Sequence, residues 1–209
     1  MSWVGVISPE DGRFEANSIA CDKDKHIFPN VLPLRALATA AVLLFTACSV
    51  SGTTRALAYY RKARMYHRDG NLDRAIAYYD TTLTLFARPF SNEVYTDRGE
   101  AYYGKGMMAR AIADFDTALM NYPDHPRANA DRGATYLRLK QPRRAVTDLT
   151  RALHFEPTLT WARYRRAQAW EALDSLPRAI ADLDTVLMAW KERDDIVDER
   201  ARLVARARH

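Results

Sequence analysis

Residues 110–119 read RAIADFDTAL, and the phrase returns at a fixed distance as RAVTDLTRAL (144–153) and RAIADLDTVL (178–187). An earlier copy, RAIAYYDTTL, begins at Arg74. In the first-quoted copy Ala111, Phe115 and Ala118 fall at helical spacing and share one face. Self-similarity with a period of 34 residues marks a stack of short units, because one such unit cannot bury its apolar face alone.

Aligning the copies on Ala75, Ala111, Ala145 and Ala179 brings other columns into line. Nine residues earlier stand Tyr66, Tyr102, Tyr136 and Trp170, and twelve earlier stand Ala63, Gly99, Gly133 and Ala167. Four residues later come Tyr79, Phe115, Leu149 and Leu183, and seven later Thr82, Ala118, Ala152 and Val186. The small and aromatic columns lie three apart, on one face of a first helix. The key Ala of a second helix is expected to leave room for close approach at Gly99 or Gly133. Asp69-Gly70-Asn71, Gly104-Lys105-Gly106, Lys140-Gln141-Pro142 and Asp174-Ser175 read as the turns between them. Pro142 and Pro177 suit the first position of a helix, and Ser91 and Thr160 suit amino-terminal caps. Asp114 and Asp116 are expected to face outward.

This pattern resembles the tetratricopeptide repeat, a helix–turn–helix unit of 34 residues. The resemblance implies an all-α fold, a right-handed α-solenoid of about four units within 54–193 (about 56–89, 92–125, 126–159 and 160–193). The ends depart from the pattern: Ala75 and Ala111 are 36 apart, and Lys191 stands where a turn proline belongs. A last helix in 194–209 carries an apolar stripe of Ile196, Val197, Leu203 and Val204. Its acids come first and its arginines last, as the helix dipole favours, and its expected role is to cap the array.

Composition narrows the function. The chain has 209 residues, 48% hydrophobic and 27% charged, enough for one domain or a repeat array. Its net charge is +5, with arginines next to acids (Asp73-Arg74, Asp97-Arg98, Asp131-Arg132), which reads as solvated helix surface and disfavours nucleic acid. His26, His67, His125, His154 and His209 are scattered, and no HExxH, GxSxG or phosphate-cradling glycine loop accompanies them. Cys21 and Cys48 lack metal-ligand spacing. No enzyme activity, metal or cofactor is expected.

The amino-terminal part has a different character. ALATAAVLLFTA (36–47) is apolar, follows Arg35 and precedes Cys48. It is too short to span a bilayer and has the length of a secretory signal's apolar core. Phe45-Thr46-Ala47-Cys48 resembles the bacterial lipobox, with Phe45 where leucine is preferred. The resemblance implies a signal segment over 31–48, diacylation of Cys48, a short linker at 49–53 and, because Ser49 is not Asp, the outer membrane facing the periplasm. The plainer alternative is a short buried helix in which Cys48 acts as a small apolar residue. Residues 1–30 show no helical or strand period and stay unassigned; translation is expected to start near Val31 or Leu32.

Function is expected on the first helices, on a face offset from the packing columns. Positions 18, 15, 11 and 8 before each key Ala share one face and vary between units. They are Leu57, Tyr60, Arg64 and His67; then Glu93, Thr96, Glu100 and Tyr103. The third unit supplies Arg127, Ala130, Ala134 and Leu137, and the fourth Trp161, Tyr164, Gln168 and Glu171. Aromatics beside charges suit an extended or helical segment of a partner protein in a concave groove. Trp161 and Tyr164 can instead contact the terminal helix. A clamp for a terminal carboxylate, as in chaperone-binding tetratricopeptide domains, is disfavoured: Arg64 and Arg127 suit it, but Asp97 and Asp131 would repel the ligand. The resulting expectation is a membrane-anchored, protein-binding scaffold in a bacterial envelope. A homo-oligomer formed through the terminal helix is the alternative, with nucleic-acid binding behind it.

Overall fold

The computed structural model describes residues 6–7, 14–15, 53–85, 91–191 and 193–208. The chain divides into two units, Met1–Phe45 and Thr46–His209. In the first unit the described residues are two short strands, β1 (Val6–Ile7) and β2 (Phe14–Glu15), paired antiparallel with Val6 opposite Glu15. Two residues per strand are too few for a periodic sequence signal, which is why this pairing was not legible within 1–30.

The second unit is a series of antiparallel helix pairs: α1 (53–68) with α2 (Leu72–Leu85), α3 (Ser91–Gly104) with α4 (Met108–Asn121), α5 (Pro126–Arg138) with α6 (Pro142–Phe155), and α7 (Thr160–Ala172) with α8 (Leu176–Ala189). A last helix, α9 (Asp194–Arg206), packs on α8. The all-α solenoid expected from the repeat is the observed fold of this unit.

The four turns inside the pairs are built alike. Gly70, Gly106, Lys140 and Asp174 take positive φ (76°, 77°, 56° and 56°). In each, the N–H of that residue and of the next reach back to the helix carbonyls, as from Gly70 to His67 (3.0 Å) and Asn71 to Tyr66 (2.9 Å). Lys140 and Asp174 hold the left-handed conformation with a Cβ, at a cost of about 1 kcal/mol each. Pro142 opens α6 as expected, whereas Pro177 is the second residue of α8. Two cap expectations change. Thr160 lies inside α7, whose cap position is Leu159, and its hydroxyl reaches Thr158 O (3.4 Å) instead of a helix N–H. Ser91 is likewise the first residue of α3.

The packing columns are buried as the alignment implied: Ala75, Ala111, Ala145 and Ala179, then Tyr79, Phe115, Leu149 and Leu183, are all fully enclosed. The close approach expected of the key-Ala helix is present at Gly133, where a Cβ would stand 3.3 Å from the Ala145 carbonyl oxygen. A Cβ on Gly99 would meet the Phe115 ring at 2.6 Å, and one on Gly133 would meet Leu149 Cγ at 2.8 Å. The residue four after the key Ala fills that space.

Two rows of arginines run along the array. Arg98, Arg132 and Arg166 each fork onto an aspartate of the paired helix: Nε and Nη2 donate to Asp114, Asp148 and Asp182 at 2.7–2.8 Å. Nη1 of each turns to the preceding unit, to Asp80 (2.6 Å), Asp116 (2.6 Å) and Thr150 Oγ1 (3.4 Å). Asp114 is therefore buried, contrary to the outward placement, and Asp97-Arg98 and Asp131-Arg132 are not solvated surface. The first unit replaces the pair with Lys62 over the Tyr78 ring (5.9 Å). Arg200 of α9, 34 residues after Arg166, pairs with Asp184 and extends the row. Thus α9 stands in the register of a fifth unit's first helix. In the second row, Arg74, Arg110, Arg144 and Arg178 lie over Tyr66, Tyr102, Tyr136 and Trp170 at 4.7–5.7 Å from the ring centres.

Candidate functional site

First helices of neighbouring pairs touch, α3 on α5 and α5 on α7, while the second helices do not pack on one another to a similar extent. The first helices consequently form the inner side of the stack. Between α1, α3 and α5 an open cleft of about 220 Å³ is lined by Arg64, His67, Asp97, Glu100 and Arg127, with Tyr79 behind.

Asp97 is the centre of this cleft. It is 3% exposed, and its carboxylate gathers groups from the units on either side of its own. The Tyr60 hydroxyl donates to Oδ2 (2.7 Å), Arg127 Nη1 lies 2.7 Å from Oδ1, and Arg64 Nε lies 3.7 Å from Oδ2. Arg127 also pairs with Glu100 and stands 3.7 Å from Asp131. Burial, reinforced by Asp97, raises the Tyr60 and Tyr79 hydroxyls above their ordinary range. Tyr79 is in turn hydrogen-bonded to His67 Nδ1 (3.2 Å). Arg127 is thus neutralised by the protein's own carboxylates, whereas Arg68, which also lines the cleft, has no carboxylate in ion-pair distance among the described residues.

Asp131 occupies the same repeat position one unit later but lacks the same partners. Thr96 stands where Tyr60 stands for Asp97, and Trp161 stands where Arg127 stands. Asp131 Oδ2 is buried and receives no hydrogen bond among the described residues. Burial, with Glu100 adding to it and Arg127 opposing, pushes the carboxyl up to about 8. A buried carboxylate without a donor prefers its proton.

At the amino terminus of α5 His125 acts as the cap, its Nδ1 accepting from the Ala128 N–H (3.1 Å). Burial, which disfavours the charged ring, lowers its pKa, and the neutral ring is the form that can accept this bond. The position of His125 just before Pro126 is the sequence signal for this cap.

Of the residues expected on the groove face, Tyr60, Arg64, His67, Glu100 and Arg127 meet at the cleft. Others do not. Thr96 and Ala130 are fully buried, Thr96 donating back to Asn92 O (2.8 Å) and Ala130 joining the core. Their shared position faces the neighbouring pair, so it is an inter-unit contact and not groove lining. Ala134 is buried, and Leu137 and Trp161 pack on the core between α5, α6 and α7. Tyr103 lies under the Arg138 guanidinium (4.8 Å), and Glu93 is exposed in the first turn of α3. In the fourth unit α9 covers the face. The Tyr164 hydroxyl donates to Glu199 (2.9 Å), and Glu171 pairs with Arg202 (3.2 Å) and Arg206 (2.9 Å). Gln168 accepts from Arg165 (3.1 Å). Tyr164–Glu199 repeats Tyr60–Asp97 one position for one, as α9's register requires.

Among the described residues no cluster of three or more His, Cys, Asp or Glu could hold a metal ion, and no helix is long and apolar enough to cross a membrane. Cys48 and the apolar stretch before it lie outside the described residues.

Comparison with known proteins agrees with this geometry. Residues 56–86 and 96–159 match family profiles of the tetratricopeptide repeat. No curated protein matches the sequence. Similar solved structures include a MamA RS-1 ArsTM double mutant (TM-score 0.66, 20% identity, 73% of this chain and 84% of that one). YrrB, described as a TPR protein with an unusual peptide-binding site, gives a TM-score of 0.61 at 24% identity, over 72% of this chain and 76% of its own. The first TPR of Spaghetti (RPAP3), bound to the HSP90 peptide SRMEEVD, gives 0.55 at 24% identity, over 57% of this chain and 94% of its own. The chain carries tetratricopeptide repeats and folds as a tetratricopeptide-type α-solenoid.

Proposed function

We propose that the protein is a non-catalytic interaction scaffold that holds a segment of a partner protein in the cleft between α1, α3 and α5. The observation that carries this reading is the cleft itself: polar groups from three units converge on it, while α9 covers the equivalent face of the fourth. Peptides bound by structurally similar proteins support a protein partner. The acidic SRMEEVD peptide is a poor guide to its chemistry, because Arg64 and Arg127 already face Asp97 and Glu100 here. Capture of the partner by cross-linking in cells tests the reading. Arg64→Ala and Glu100→Ala should each reduce capture several-fold while leaving the melting temperature within a few degrees. Undiminished capture by both variants refutes it.

The same proposal places the scaffold in a bacterial envelope, lipid-anchored through Cys48 at the outer membrane and facing the periplasm. The lipobox-like Phe45-Thr46-Ala47-Cys48 supports the anchor. Labelling with a radioactive fatty acid should mark the wild type and leave Cys48→Ala unmarked; equal label in both removes it. Self-association is the second reading. It rests on Val197 and Ala201, exposed on α9 where a fifth unit would place its second helix. Val197→Asp should then lower the mass seen by light scattering, and a monomer before and after the change dismisses this reading.

A further inference from the structure

In sequence the positive charge is dispersed, but the fold collects part of it on one edge. The turns inside the helix pairs lie next to one another along the array. Lys105 of the second turn pairs with Asp73 after the first, and Arg138 before the third turn donates to Tyr103 O before the second (3.2 Å). Gln141, Pro142, Arg143 and Arg144 line one hollow with Leu173 at the fourth turn, and Arg206 of α9 reaches Asp174 (3.2 Å).

The cations on this edge differ from the arginines set between the helices. Arg98, Arg127, Arg132 and Arg166 are all paired with carboxylates. Arg74, Arg110, Arg138, Lys140, Arg143, Arg144 and Arg178 are exposed, and none has a carboxylate in ion-pair distance among the described residues. Five of them, Arg138 on Tyr103 included, rest on aromatic faces, which orients the planar guanidinium. Residues 138–144 concentrate the effect: Arg138, Lys140, Arg143 and Arg144 occur with no acid among them. At their centre Leu139 is 39% exposed at the tip of the turn.

We propose that this turn edge is a docking face for an anionic lipid membrane, with Leu139 entering the headgroup boundary and the surrounding cations facing phosphates. Two observations favour a membrane over nucleic acid. The aromatic rings along the edge are already covered by arginines, so they offer no platform for stacking bases. An apolar tip ringed by cations is the pattern of interfacial attachment. This attachment is independent of the partner cleft and of Cys48.

The test uses the full chain carrying Cys48→Ala, so that no acyl chain contributes. Co-sedimentation compares phosphatidylcholine vesicles with the same vesicles containing about 30% phosphatidylglycerol. Binding to the anionic vesicles is expected, weakening as salt rises. Replacing Arg138, Lys140, Arg143 and Arg144 together with Gln should lower the partition at least about 100-fold, at roughly 5-fold per charge. Leu139→Ser should lower it several-fold with the salt dependence unchanged. Arg64→Gln, in the cleft, should leave it as it was. Equal binding to both vesicle types, or full binding by the quadruple variant, overturns the proposal. Tighter binding of a short DNA or RNA than of the anionic vesicles overturns it in favour of nucleic acid. Undiminished partner capture by the cleft variants Arg64→Ala and Glu100→Ala, with vesicle binding as expected, would count against the cleft alone.

Discussion

Two rows of arginine, both following the repeat, do different work in this molecule. Arg98, Arg132 and Arg166 each fork onto a buried aspartate and lean on the preceding unit. Arg74, Arg110, Arg144 and Arg178 lie on aromatic rings at the turn edge with no carboxylate beside them. The first row sits between helices, where a charge needs a partner of opposite sign to be tolerated. The second sits in water, where a guanidinium needs none. Periodicity alone does not separate scaffold from contact surface; the neighbour of each charge does.

The comparison is broken most forcefully at the buried row. Arg132→Ala leaves the Asp148 carboxylate buried and unpaired, and should cost about 3 kcal/mol in urea unfolding. A cost below that of an exposed substitution would mean the row is ornamental. Asp131 offers the opposite sign. Its folded pKa is raised to about 8 by burial, so the folded state holds the proton more tightly than the unfolded one. Stability should therefore fall as pH rises from about 4 to about 8, and level off above. Asp131→Asn should remove that fall and stabilise the protein at pH 9 by about 2 kcal/mol. An unchanged pH profile would place Asp131 in water.

His125 gives a smaller effect with the reverse dependence. Its folded pKa is depressed, so the cap's contribution is present above the unfolded value of about 6.5 and is lost as pH falls below it. His125→Ala should cost about 1 kcal/mol at pH 8 and less at pH 5. The smallest change belongs to the turn edge: Arg144→Gln should cost about 0.5 kcal/mol, the worth of an exposed cation–π contact. A loss as large as that of Arg132→Ala would erase the distinction between the rows.

Much of the fold was legible because each buried column repeats four times in one sequence. Ala75, Ala111, Ala145 and Ala179, with the residues four and seven later, report the core without any other information. The charged columns repeat as faithfully, Arg98, Arg132, Arg166 and Arg200 among them, yet they suggest surface when each acid is read against its immediate neighbour. Asp114 belongs to Arg98, sixteen residues away, and only the antiparallel pairing of α3 with α4 joins them. The groove face was half legible for the same reason. Arg64, Glu100 and Arg127 were found by helical spacing, but Thr96 and Ala130 share that spacing and turn into the next unit. Tyr164 and Glu171 were covered because α9 keeps the repeat register.

The central claim, that a partner lies against the first helices of the first three units, is tested most directly by photo-cross-linking from single positions in cells. A photoreactive residue at position 64, in the cleft, should capture a partner protein, whereas one at position 188, on the outward face of α8, should not. Equal capture from both positions, or capture from 188 alone, would contradict the account.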